Sequence, residues 1–282
     1  MVCATWARGD LREGDRIELR IRRDGVWQPW EPMNGDSTPD LIGRVAASGD
    51  LRLHAGTGER DFSPTPLTLD TGVPDADLVR IVGDVNGDGL ADAVARTSAG
   101  DLIGLRGRGG GRFQALPSRI GGGWQIFDLI EPVGDYTNDG VPDLVARTTS
   151  GELRVYALTR SLTVGWQLLI GSNWQGARSI TAAGAVNVDI NADVVVLRTD
   201  GSVRLCRGTG PGALNHYDIV LTGQTDLVRI LGTGDFTGDG PNDILGQAAD
   251  GRLFRYPGDG KGGFRPSRQP VRAPSEVDRV LV

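Results

Sequence analysis

Short apolar runs recur along the whole chain, alternating or β-branched in pattern and bounded by Gly, Asp and Asn. Examples are Leu-Val-Arg-Ile-Val (78–82), Glu-Leu-Arg-Val-Tyr (152–156) and Leu-Val-Arg-Ile-Leu (227–231). Runs of this length and period predict strands joined by tight turns. No segment carries a convincing helical period, so the chain reads as all-β.

The runs repeat in register. Asp-Leu-Ile-Gly-Arg (40–44), Asp-Ala-Val-Ala-Arg (92–96) and Asp-Leu-Val-Ala-Arg (143–147) share one phrase, with weaker copies at 193–197 and 243–247. The leading aspartates Asp40, Asp92, Asp143, Asp193 and Asp243 are 52, 51, 50 and 50 residues apart. Gly49, Gly100, Gly151, Gly201 and Gly251 form a second ladder, and Gly-rich turns ending at Phe62, Phe113, Leu214 and Phe264 a third. The third repeat lacks that turn and reads LTRSLTVGW instead. Four strands per unit of about 50 residues is the signature of a propeller blade, which buries its faces only against its neighbours. The expectation is one all-β propeller domain over residues 1–282, with repeats at about 30–72, 73–122, 123–171, 172–221 and 222–275. Residues 277–282 match the strand that opens a repeat, and 2–7 and 16–22 offer further strands. Segments 1–29 and 276–282 are therefore expected to form a sixth blade closed by both termini. The alternative is a five-bladed ring with an N-terminal hairpin.

Three repeats carry an acidic loop just before the recurrent Asp: Asp84-Val-Asn86-Gly-Asp88-Gly-Leu90-Ala-Asp92, Asp135-Tyr-Thr137-Asn-Asp139-Gly-Val141-Pro-Asp143 and Asp235-Phe-Thr237-Gly-Asp239-Gly-Pro241-Asn-Asp243. Oxygen side chains fall at positions 1, 3, 5 and 9, Gly permits the turn at position 6, and Leu90, Val141 or Pro241 offers a carbonyl at position 7. An all-oxygen, carboxylate-rich set implies a hard cation, and calcium tolerates such irregular coordination better than magnesium. The last carboxylate comes too early for an EF-hand. About three structural Ca²⁺ ions are expected. The loops at 32–40 and 185–193 lack the first carboxylate and are expected to keep only turn-capping Asp and Asn.

Composition narrows the function. The chain has 282 residues and a formal charge of −6, so its overall field does not favour nucleic acid. Two cysteines and two histidines exclude a Cys-based zinc site and leave little room for a catalytic triad. No run is apolar enough to span a membrane. The opening MVCATWARGD lacks the apolar core of a signal peptide, so either the chain is cytoplasmic or an export signal lies outside it. Gly258–Gly263 fits a GxGxxG pattern, but it lies in a hairpin turn with no helix after it.

The loops DVNGDGLAD, DYTNDGVPD and DFTGDGPND resemble those of FG-GAP/VCBS repeats, the blades of the integrin alpha-subunit propeller and of many secreted bacterial proteins, including actinobacterial ones. The resemblance covers residues from about 30 to 282. It implies a secreted, noncatalytic, calcium-stabilised module with lectin-like recognition of glycans or cell-wall polymers. It also allows a protein-interaction or targeting subunit, or the tail of a secreted hydrolase or toxin complex. Trp124 and Trp174 recur at one place in successive repeats, with Trp27 as a third copy. Their recurrence favours packing between blades, and the alternative is that the three rings line glycan sites.

Overall fold

The computed structural model describes residues 40–44, 50–57, 61–184, 186, 193–208, 214–271 and 279–280. Among these, the strands form five four-stranded antiparallel sheets, the blades of a β-propeller. Blade 2 comprises β4 (Ala76–Gly83), β5 (Asp92–Thr97), β6 (Leu102–Gly107) and β7 (Phe113–Ala115). Blade 3 comprises β8 (Phe127–Gly134), β9 (Asp143–Thr148), β10 (Leu153–Leu158) and β11 (Val164–Gly171). Blade 4 runs from β12 (Ala177–Gly184) through β13 (Asp193–Arg198) and β14 (Val203–Gly208) to β15 (Leu214–Leu221). Blade 5 runs from β16 (Leu227–Gly234) through β17 (Asp243–Ala248) and β18 (Leu253–Tyr256) to β19 (Gln269–Val271). Blade 1 is composite, with β1 (Leu41–Arg44), β2 (Leu51–His54) and β3 (Leu67–Leu69) joined by β20 (Arg279–Val280).

Among the described residues the blade count is therefore five. The C-terminal strand joins the first repeat's sheet instead of opening a sixth. It pairs Arg279 with Arg44 and Val280 with Gly43, supplying the inner strand that the first repeat lacks. The expected closing segment 1–29 lies outside the described residues. The physical reason for the correction is that β1 opens its blade at what is the second strand elsewhere, leaving an unpaired inner edge. The opening-strand pattern at 277–282 satisfies that edge.

Five buried clusters sit at the five interfaces between blades. Leu78, Val94 and Leu102 of blade 2 meet Trp124, Ile130 and Leu144 of blade 3. Leu129, Val145 and Val155 of blade 3 meet Ile180, Val194 and Cys206 of blade 4. The remaining clusters join blades 4 and 5, 1 and 2, and 5 and 1. Side chains alternate faces along a strand. Ala93 and Ala95 of β5 thus pack towards blade 1 while Val94 packs towards blade 3. Both faces are buried, which explains the continuous apolar runs in the second strands.

Candidate functional site

The acidic loops 84–91, 135–142 and 235–242 each connect the inner strand of a blade to its second strand, so all three lie on one rim of the ring. In each, the first Asp folds back onto the loop. Asp84 accepts from the N–H groups of Gly87 (2.7 Å), Asp88 (3.0 Å) and Gly89 (2.8 Å). Asp135 accepts from Asp139 (2.9 Å) and Gly140 (2.9 Å), and Asp235 from Asp239 (2.9 Å) and Gly240 (2.8 Å). Three sequences thus close the same turn, and Gly89, Gly140 and Gly240 adopt positive φ to permit it.

The recurrent Asp at position 9 is a latch between strands. Asp92 Oδ1 accepts from Gly107 N–H (2.9 Å), while its Oδ2 accepts from Val85 (3.2 Å) and Asn86 (3.3 Å). Asp243 does the same with Gly258 (2.8 Å) and Thr237 (2.7 Å). Asp40 accepts from Gly56 N–H (3.0 Å), and Asp193 from Val186 (3.1 Å) and Gly208 (3.2 Å). Capping therefore persists in the two repeats with damaged loops, as their sequence implies, and Asn34 and Asn187 lie outside the described residues. Blade 3 differs. Asp143 Oδ2 accepts from Thr137 N–H (2.8 Å), but Leu158 stands where the other blades have their Gly, and Asp143 Oδ1 and the Thr137 hydroxyl are buried without a hydrogen bond of ordinary geometry.

Burial without a counter-charge raises these carboxyls: Asp92 to about 6, Asp143 to about 8, and Asp135 and Asp243 above the usual carboxylate range. Loop N–H groups oppose the shift, while Asp88 and Asp139 add repulsion to Asp92 and Asp143. The donor set is all oxygen, and each ionised carboxyl has about four acceptor sites, so accepting N–H bonds leaves room for a cation. Among the described residues, no three His, Cys, Asp or Glu side chains already converge tightly enough to hold one.

Trp124 and Trp174 are 4% and 5% exposed, which removes them as glycan contacts. Each follows a left-handed residue, Gly123 or Asn173, and turns its ring between blades. Trp124 packs against Phe127 and Tyr156 with centroids 5.2 and 4.7 Å apart. A β-carbon on Gly121 or Gly171 would lie 2.3 Å from the indole nitrogen, so glycine makes both seats possible. Trp27 lies outside the described residues. Among the described residues, the tryptophan that faces solvent is Trp166, 48% exposed on the outermost strand β11, where the exposed Leu168 shares its face. Its lack of a copy in other repeats hides it from a search for periodic aromatics.

Inside the channel, Arg80, Glu131 and Arg229 meet from the inner strands of blades 2, 3 and 5. Arg80 forks onto both Glu131 oxygens (2.9 Å each), and Arg229 Nη2 lies 2.9 Å from both. None of these side chains is more than 10% exposed. The recurring Arg96 and Arg147, which end the repeated Asp-led phrase, flank this group through ion pairs with Asp77 and Asp128 (2.9 Å each).

Residues 84–146 match the FG-GAP-like repeat family model. No curated protein matches the chain in sequence. Similar solved structures include the BP39L lectin from Burkholderia pseudomallei, 12% identical with a TM-score of 0.51 over 88% of this chain and 72% of that one. The Tc holotoxin pore of Photorhabdus luminescens is 18% identical with a TM-score of 0.47, over 89% of this chain and 12% of that one. AofleA from Arthrobotrys oligospora is 13% identical with a TM-score of 0.43, over 89% and 75%. At such identities the likeness to the lectin speaks for the fold alone.

Proposed function

We propose that this FG-GAP-like repeat propeller is a noncatalytic, secreted binding module with lectin-like recognition of glycans or cell-wall polymers. The observation that carries the reading is the Trp166 face of β11. Exposed Trp166 and Leu168 stand two residues apart and share one face of this strand, in a protein that buries both other described tryptophans. Clustered exposed apolar side chains mark interaction surfaces. A flat exposed indole suits the face of a sugar ring, so the glycan contact moves from the periodic tryptophans to this one. Calcium at Asp84, Asp88 and Asp92, and at their counterparts in blades 3 and 5, would brace the opposite faces of the loops' turns and supply the positive charge that buried Asp143 lacks. No helix among the described residues is long and apolar enough to cross a membrane.

The test is retention on purified cell walls and on a glycan array. Wild-type protein binds, and Trp166→Ala loses binding while keeping its melting temperature. Wild-type affinity in the variant, or no wild-type binding to any wall or glycan, overturns the reading.

A second reading is a protein-docking subunit. It is favoured by the length of the outer strands β11 and β15, eight residues each against three in β3, β7 and β19. A long outer edge can pair with a partner's strand. Proline substitution at an edge N–H of β11 would abolish that docking while leaving Trp166-dependent sugar binding in place.

A further inference from the structure

The inner strands all begin at the rim opposite the acidic loops. Their second residues are Asp77, Asp128, Arg178 and Val228 in blades 2 to 5. In blades 2 and 3 this position holds an Asp that grips an Arg of the second strand, and the Arg reaches the next blade. Arg96 Nη1 donates to the carbonyls of Trp124 (3.3 Å) and Phe127 (2.8 Å). Arg147 Nη1 donates to those of Trp174 and Ala177.

Blade 4 keeps this clamp by a different route. Leu197 takes the register of Arg147, and Arg178 occupies the place of the Asp. Arg178 Nη1 donates to the carbonyls of Thr225 (3.2 Å) and Leu227 (2.5 Å); Leu227 is the blade 5 counterpart of Phe127 and Ala177, and Thr225 lies one residue beyond that of Trp124 and Trp174. The interblade contact survives, but the carboxylate is gone: among the described residues the polar partners of Arg178 are carbonyls only.

Arg178 lines a cavity of about 430 Å³ together with the Arg80–Glu131–Arg229 group and the two Asp–Arg pairs. The Asp77–Arg96 and Asp128–Arg147 pairs cancel. Glu131 offsets one of Arg80, Arg178 and Arg229, leaving a surplus of two positive charges among the cavity's described residues. The acidic members lie on the side of blades 2 and 3, while blades 4 and 5 present Arg178, Arg229, Ser179, Val228 and Gln247. A partly enclosed site with a net positive charge concentrates anions, and guanidinium forks match the geometry of carboxylate and phosphate.

We propose that this channel mouth is an anion site taking a ligand that carries a carboxylate or phosphate group, seated between Arg178 and Arg229. The cavity is of the size that takes a small molecule. The site lies on inner strands, apart from the Trp166 face, so either can fail alone.

The test is calorimetric titration at low salt with glucuronate, inorganic phosphate and glucose. Glucuronate, phosphate or both bind with an affinity that falls as salt rises, and glucose does not bind. Binding of one anion alone identifies the source as an acidic sugar or a phosphate. Arg178→Gln weakens binding by about tenfold or more, the scale of one charge-assisted contact. Because that change also loosens the clamp to blade 5, Val228→Asp is the second variant: it keeps the clamp, sits at a half-exposed position and cancels one positive charge. It too weakens binding, with the melting temperature unchanged. The proposal is overturned if neither anion binds at about 10 mM, below the range of useful affinity. It is equally overturned if glucose binds as well as glucuronate, or if folded Val228→Asp binds like wild type.

Discussion

Replacing Glu131 with Gln tests what holds the channel together. The carboxylate is the common partner of two guanidiniums, and it accepts four contacts at 2.9 Å. Arg80 is also tied to the carbonyls of Ile130 (3.0 Å) and Val79 (2.9 Å), so it cannot swing into water. Gln keeps one acceptor and turns an amide donor towards the cations, leaving two like charges buried together. Breaking a buried pair by removing one partner costs about 3–5 kcal/mol. Unfolding entropy scales with length, and 282 residues give about 0.6 kcal/mol/K, so Glu131→Gln lowers Tm by about 5–8 °C. Scanning calorimetry and guanidinium melts measure it. A control replaces the whole group, with Glu131→Leu, Arg80→Met and Arg229→Met in one chain. Exchanging a complete buried ionic group for apolar residues of similar volume is often neutral or stabilising, so the triple variant melts above Glu131→Gln. A single variant within about 1 °C of wild type, or a triple variant less stable than the single one, refutes the reasoning.

Calcium raises Tm by mass action, at about 2.7 kcal/mol per site when present at 100 times its Kd. Asp84→Ala, Asp139→Ala and Asp239→Ala each remove one ion from the stoichiometry measured by calorimetry. A metal-free protein that melts identically with and without millimolar calcium rules the ions out. Truncation after Val271 removes Arg279 and Val280 and leaves the inner edge of β1 unpaired. Open edges recruit other chains, so light scattering finds association and Tm drops. A monomer of unchanged Tm shows that the ring does not depend on this strand.

The repeat, the strands and the acidic loops are legible in the sequence because each rests on local chemistry. Alternating apolar residues make strands, and Asp with Gly at fixed spacing makes a turn that closes on its own N–H groups, as Asp84, Asp135 and Asp235 do. The capping role of Asp40 and Asp193 follows from the same local rule.

Other features depend on which blade meets which. Trp124 and Trp174 look alike as packing residues or sugar platforms until the neighbouring blade covers them. Only the unpaired inner edge of β1 decides that Arg279 and Val280 close the first repeat's sheet. Glu131 and Arg229 are 98 residues apart and belong to blades that are not adjacent in sequence, so no local pattern pairs them. Arg178 replaces Arg147 from a different strand and register, which sequence comparison between repeats reads as a lost motif. A ring decides these points because its closure brings strands from distant repeats around one axis. What a side chain becomes there depends on the charges and surfaces that the other blades deliver to the same place.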